Sequence, residues 1–104
     1  MISYNVFFTP KPGVEDQRAI DAAHAFLKQL QSEKRLNGYR IMRVTNPASF
    51  QGLPRFQAII DYASQRELDE ALAYMRQPRK KEEGGHGELM EIVGDFRVSF
   101  TADV

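Results

Sequence analysis

Arg55-Phe56-Gln57-Ala58-Ile59-Ile60-Asp61-Tyr62-Ala63-Ser64-Gln65-Arg66-Glu67-Leu68-Asp69-Glu70-Ala71-Leu72 sets a strand directly against a helix, and its reading decides the fold. Phe56, Ala58, Ile60 and Tyr62 alternate with Gln57, Ile59 and Asp61. A period of two is what a strand with one buried face requires. The period changes at Ser64-Gln65-Arg66-Glu67, which reads as a capping box. There the serine hydroxyl accepts from the amide three residues on, and the glutamate reaches back to the helix start. The helix that follows carries Leu68, Ala71, Leu72 and Met75. Pro78 stops it, since proline cannot donate to the helical ladder.

The same two periods recur on either side. Upstream, residues 39–45 read as a strand, separated from residue 55 by a loop with Pro47, Gly52 and Pro54. Residues 14–36 read as a helix, with Ala19, Ile20, Ala22, Ala23, Phe26, Leu27 and Leu30 on one stripe. Glu15 and Asp16 suit its positive end, Lys34 and Arg35 its negative end, and Asn37-Gly38 is the expected left-handed stop. Residues 2–9 alternate as a first strand, ended by Pro10, Pro12 and Gly13. Downstream, residues 79–88 are charged and glycine-rich, and a last strand is expected from about Leu89 to Thr101 with a bulge or kink at Gly94.

The order is βαββαβ, which predicts a single α+β domain over residues 1–104 of the ferredoxin-like type. Its antiparallel four-stranded sheet would carry both helices on one face. The helix-facing set is expected to be Tyr4, Val6, Phe8, Met42, Val44, Phe56, Ala58, Ile60, Tyr62, Phe96, Val98 and Phe100. The second strand is equivocal, because Tyr39 and Ile41 are as apolar as Met42 and Val44.

Composition removes several function classes. Lys plus Arg and Asp plus Glu both total 14, so no basic footprint for nucleic acid is present. With no cysteine there is no disulfide, thiolate nucleophile or cysteine-held metal. No apolar run is long enough to span a bilayer, and residues 1–8 read as a strand rather than a signal peptide, so a cytoplasmic protein without membrane contact is expected. None of the sequence patterns of a dinucleotide fold, P-loop, zinc protease, nucleophile elbow or EF-hand occurs. No cofactor or metal is expected.

On this phasing the outer face of the sheet carries Phe7, Tyr39, Ile41, Ile59 and Val93, several hundred Å² of apolar surface. Burying it would be worth roughly 10 kcal/mol gross, before association costs. A second copy packed face to face achieves this with two-fold symmetry. Arg43, Asp61, Asp95 and Arg97 could set its register through charge pairs. The element order, the length near one hundred, the half-apolar outer face and the long fourth strand resemble the dimeric α/β-barrel superfamily. That group includes antibiotic-biosynthesis-type monooxygenases and proteins similar to muconolactone isomerase, EthD and the stress-responsive barrels. The resemblance implies a homodimer with a small-molecule cavity between each sheet and its helices. It transfers no catalytic residue, since no subfamily motif is present.

The cavity would be lined by Tyr4, Phe8, Phe26, Phe56 and Tyr62, with His86 at its mouth. His86 stands in Gly84-Gly85-His86-Gly87, where glycines allow close approach, and could act as general acid, general base or haem ligand. A solvated loop is the plainer account. Tyr4 and Tyr62 could orient a phenolic or carbonyl compound, or be core residues with hydroxyls at the rim. His24 lies at the edge of the first helix's stripe, as a boundary residue or a ligand. Asn5 and Arg43 suit an interface, and Asp61 with Asp95 a possible acid–base pair. Three readings follow. The first is a small-molecule-binding protein or cofactor-independent enzyme, performing oxygenation or isomerisation of a hydrophobic compound. The second is a non-enzymatic interaction or regulatory module. The third is a single-stranded RNA binder using Phe7 and Tyr39 as a stacking platform.

Overall fold

The computed structural model describes residues 1–76 and 84–104, with side chains described for residues 1–76 and 87–104. The elements run β1 (Ile2–Pro10), α1 (Asp16–Ser32), β2 (Gly38–Arg43), β3 (Phe56–Tyr62), α2 (Gln65–Met75), α3 (Gly84–Ile92) and β4 (Val93–Ala102). The sheet order is β2-β3-β1-β4, with every neighbouring pair antiparallel. This is the ferredoxin-like arrangement of a βαββαβ chain, with one additional short helix before the last strand.

Across β3, β1 and β4 the register aligns Ile60, Tyr4 and Phe100, then Ala58, Val6 and Val98, then Phe56, Phe8 and Phe96. Residues directly opposite share a face. The core forms where this face meets Ala19, Ala23 and Leu27 of α1, Leu68 of α2, and Ile92 at the end of α3. Ser64 caps α2, its hydroxyl accepting from the Glu67 amide at 3.3 Å. The Glu67 carboxylate accepts in turn from the Ala63 amide at 3.0 Å, one residue earlier than a standard capping box.

Four expectations are corrected. In β2, Tyr39 pairs with Ile60, Ile41 with Ala58 and Arg43 with Phe56, so these three point to the helices, and Met42 turns outward beside Gln57. Alternation could not choose between two equally apolar sets. Long polar ends settle it, since Tyr39 reaches His24 and Arg43 crosses the Phe56 ring to pair with Asp16 at 3.8 Å.

The stretch 84–92 is helical, not a loop leading into a strand. Glu88, Leu89, Met90 and Glu91 are good helix formers, and a short apolar run fits either structure. The Ile92 carbonyl accepts from the Lys11 amide at 2.8 Å and hands the chain to β4. The register then slips by one residue between Phe8 and Pro10. Gly94 sits at this irregularity, where a Cβ would stand 3.4 Å from the Thr9 carbonyl oxygen.

The first helix stops at Lys34, which takes a left-handed φ of 59°, rather than at Asn37-Gly38. The Arg35 amide bonds the Leu30 carbonyl and the Lys34 amide the Gln31 carbonyl, a Schellman closure.

Finally, the helices leave β4 uncovered. Phe96, Val98 and Phe100 share the helix-side face yet remain 42%, 43% and 52% exposed. Val93, expected on the outer face, is buried in the core. The outer face thus keeps Phe7 and Ile59 from the expected apolar set and gains Met42. Its polar residues bond locally, Ser3 to Asp61 at 2.6 Å, Asn5 to Thr101 at 3.0 Å and Arg97 to Asp95 at 3.2 Å.

Candidate functional site

Between the sheet and the helices lies a cavity of about 130 Å³. Its floor is Tyr4, Val6 and Phe8 of β1, Ala58, Ile60 and Tyr62 of β3, and Phe96 of β4. Alternation puts every second residue of each strand on this side. The roof is Ala23, Phe26, Leu27 and Leu30 of α1 with Ala71, Leu72 and Met75 of α2. Leu89 and Met90 of α3, with Val93, close one side.

The structure brings Tyr4, Phe8, Phe26 and Tyr62 together around this space. Phe56 does not line it. That ring lies deeper, 1% exposed, against Phe8 at 5.6 Å and beneath the guanidinium of Arg43 at 4.9 Å. Its neighbour Phe8, one strand over, takes the position at the wall. His86 falls in the first turn of α3, three residues before Leu89, and its side chain lies outside the described residues. His24 is on the surface, its Nδ1 3.5 Å from the Tyr39 hydroxyl, and does not reach the cavity. Asp61 and Asp95 sit on strands separated by β1 and bond Ser3 and Arg97, so they form no acid–base pair. With Tyr39 turned inward, the outer face also loses its stacking platform for RNA.

Leu89 and Met90 were not foreseen as lining residues, because residues from 89 onward read as strand. The available signal was the spacing of Leu89, Met90 and Val93, which fits one helical face.

The polar character of the cavity comes from two phenols. Tyr62 is 5% exposed, and neither its hydroxyl nor that of Tyr4 has a hydrogen-bond partner among the described residues. Burial pushes the Tyr62 hydroxyl up to about 12, with the nearby Tyr4 phenol adding to the rise. Burial also raises Tyr4. Both therefore stay protonated at neutral pH and can donate. Tyr4 is held in place by Phe100, its ring stacked 5.1 Å away.

A second, polar cleft of about 500 Å³ lies where the end of α1 meets α2, lined by Glu33, Lys34, Arg35, Glu67 and Glu70. Most of its charges already have work: Arg35 pairs with Glu33 and stacks on Tyr74, Glu70 pairs with Arg66, and Glu67 caps α2. Among the described residues no group of three His, Cys, Asp or Glu could hold a metal ion, and no helix is long and apolar enough to cross a membrane.

A ferredoxin-like sheet with an apolar cavity under its helices defines the structural class. The chain belongs to a family of unknown function, DUF6614, whose family model matches residues 1–103. No curated protein matches the sequence. Solved structures share the fold. The Arabidopsis thaliana protein At3g17210 superposes with a TM-score of 0.80 at 10% identity, over 100% of this chain and 96% of that one. A dimeric ferredoxin-like protein of unknown function from Jannaschia sp. CCS1 gives 0.72 at 17% identity, over 98% of each chain. SnoaB, a cofactor-independent oxygenase from Streptomyces nogalater, gives 0.69 at 11% identity, over 98% of this chain and 91% of that one.

Proposed function

We propose that this chain works as a homodimer that binds a small hydrophobic compound in the cavity between its sheet and helices. The observation that carries this reading is Tyr62, a buried residue at the wall of an apolar space whose hydroxyl has no partner among the described residues. Buried polar groups in folded proteins are normally satisfied, so one that is not points to a missing guest. Two further facts support the dimer. Phe7, Met42 and Ile59 form an apolar patch on the uncovered face, and the similar Jannaschia protein is dimeric.

Chemistry without a cofactor is compatible with this site, as the fold shared with SnoaB allows. Tyr4 and Tyr62 would orient the compound, and His86 on α3 would exchange a proton with it. Once a substrate is in hand, full activity in His86→Ala would remove the histidine from the mechanism.

The cavity volume favours a second reading, a non-enzymatic interaction module. At about 130 Å³ it falls below the roughly 300–1,000 Å³ usual for ligand sites. Titrating toluene into methyl-labelled protein separates the two. A ligand site gives saturable shifts at Leu27, Ile60 and Leu72. Unmoved methyls up to the solubility of toluene would leave the interaction module standing.

A further inference from the structure

The size of the cavity limits what it can hold. An engineered apolar cavity of roughly 150 Å³ admits benzene. The space here, about 130 Å³, is of the size that suits one six-membered ring.

Hydrogen-bond accounting then selects the polar group. Tyr4 and Tyr62 are diagonal neighbours on β1 and β3, since Tyr4 pairs with Ile60 and Ile2 with Tyr62. Each phenol has a proton to donate, and among the described lining residues the only side-chain oxygens that could accept it are those of the phenols themselves. A carbonyl oxygen has two lone pairs and no proton of its own. It can take one hydrogen bond from each tyrosine and leave neither donor stranded. A ligand hydroxyl would accept from one phenol and donate to the oxygen of the other, so it engages one tyrosine as donor where a carbonyl engages both.

Resting on the reading of this cavity as a ligand site, we propose that its ligand is a neutral, single-ring ketone or aldehyde. Its carbonyl oxygen accepts from the Tyr62 hydroxyl, with Tyr4 as second donor. The apolar walls contributed by Leu27, Leu72 and Phe96 hold the ring.

Cyclohexanone, cyclohexanol and methylcyclohexane differ in the one group the ring carries, and each is titrated into the full chain with leucine and isoleucine methyl shifts as readout. Cyclohexanone should bind about five- to tenfold tighter than methylcyclohexane, with cyclohexanol between them. Tyr62→Phe should bring the three within about twofold of one another, and Tyr4→Phe should remove part of the preference. Equal affinities in the wild type, or a preference that survives both substitutions together, would overturn the carbonyl assignment and leave the cavity a ligand site. Failure of all three compounds to bind would overturn both.

Discussion

Tyr4 of β1 and Phe100 of β4 stand directly opposite each other in the antiparallel register, with ring centroids 5.1 Å apart and planes 9° from parallel. Phe100 is half exposed, so this stack ties the edge strand to the cavity wall without being part of the sealed core. It also holds one of the two phenols that give the cavity its polarity.

Phe100→Ala should therefore cost about 1–2 kcal/mol, from the stacked pair and the partial burial it provides. Urea denaturation would show this as a lower midpoint at unchanged slope. An unmoved midpoint would mean that the stack contributes nothing to stability.

The buried phenols make a prediction in alkali. Both ionise later in the folded chain than at the ordinary value of 10.0, Tyr62 at about 12. Above pH 10.0 the folded state thus holds more protons than the unfolded one. The contribution of Tyr62 is complete below that pH and is lost as pH rises through about 12, and that of Tyr4 falls in the same direction. Tyr62→Phe should flatten the fall in urea midpoint between about pH 9.5 and 11.5. An identical slope in the two proteins would contradict the placement of Tyr62.

Assembly is tested at the outer face. Phe7 lies in register with Gln57, which pairs with Met42, and Ile59 is in the next row. Sedimentation velocity at micromolar protein should show a particle of twice the 11.9 kDa chain mass. Phe7→Glu should shift it to the single-chain mass by placing an unpaired charge in the interface. A wild type that sediments as one chain would contradict the homodimer.

Much of the fold could be read from residues in isolation. The alternation of Phe56, Ala58, Ile60 and Tyr62 and the capping box after it mark β3 and α2 without any tertiary information. Other features could not. The facing of β2 depends on what Tyr39 and Arg43 meet on α1, a long-range fact. Helix α3 is short and glycine-led, so tertiary packing on α1 outweighs its weak local signal. At the site, Tyr4, Phe8, Phe26 and Tyr62 follow from strand and helix phase. The displacement of Phe56 from the wall follows from its pairing with Phe8, which phase alone cannot separate.

The decisive question is whether the space beneath the helices is a site or a packing defect. Ala71 lines it on α2 and can be enlarged to fill it. Thermal denaturation of the wild type and Ala71→Leu, each with and without saturating toluene, distinguishes the two. A ligand that binds the folded chain raises its melting temperature. A site requires toluene to raise the wild-type Tm and to leave the Tm of Ala71→Leu unchanged. An equal response in both proteins, or none in the wild type, would contradict the reading of this space as a ligand site.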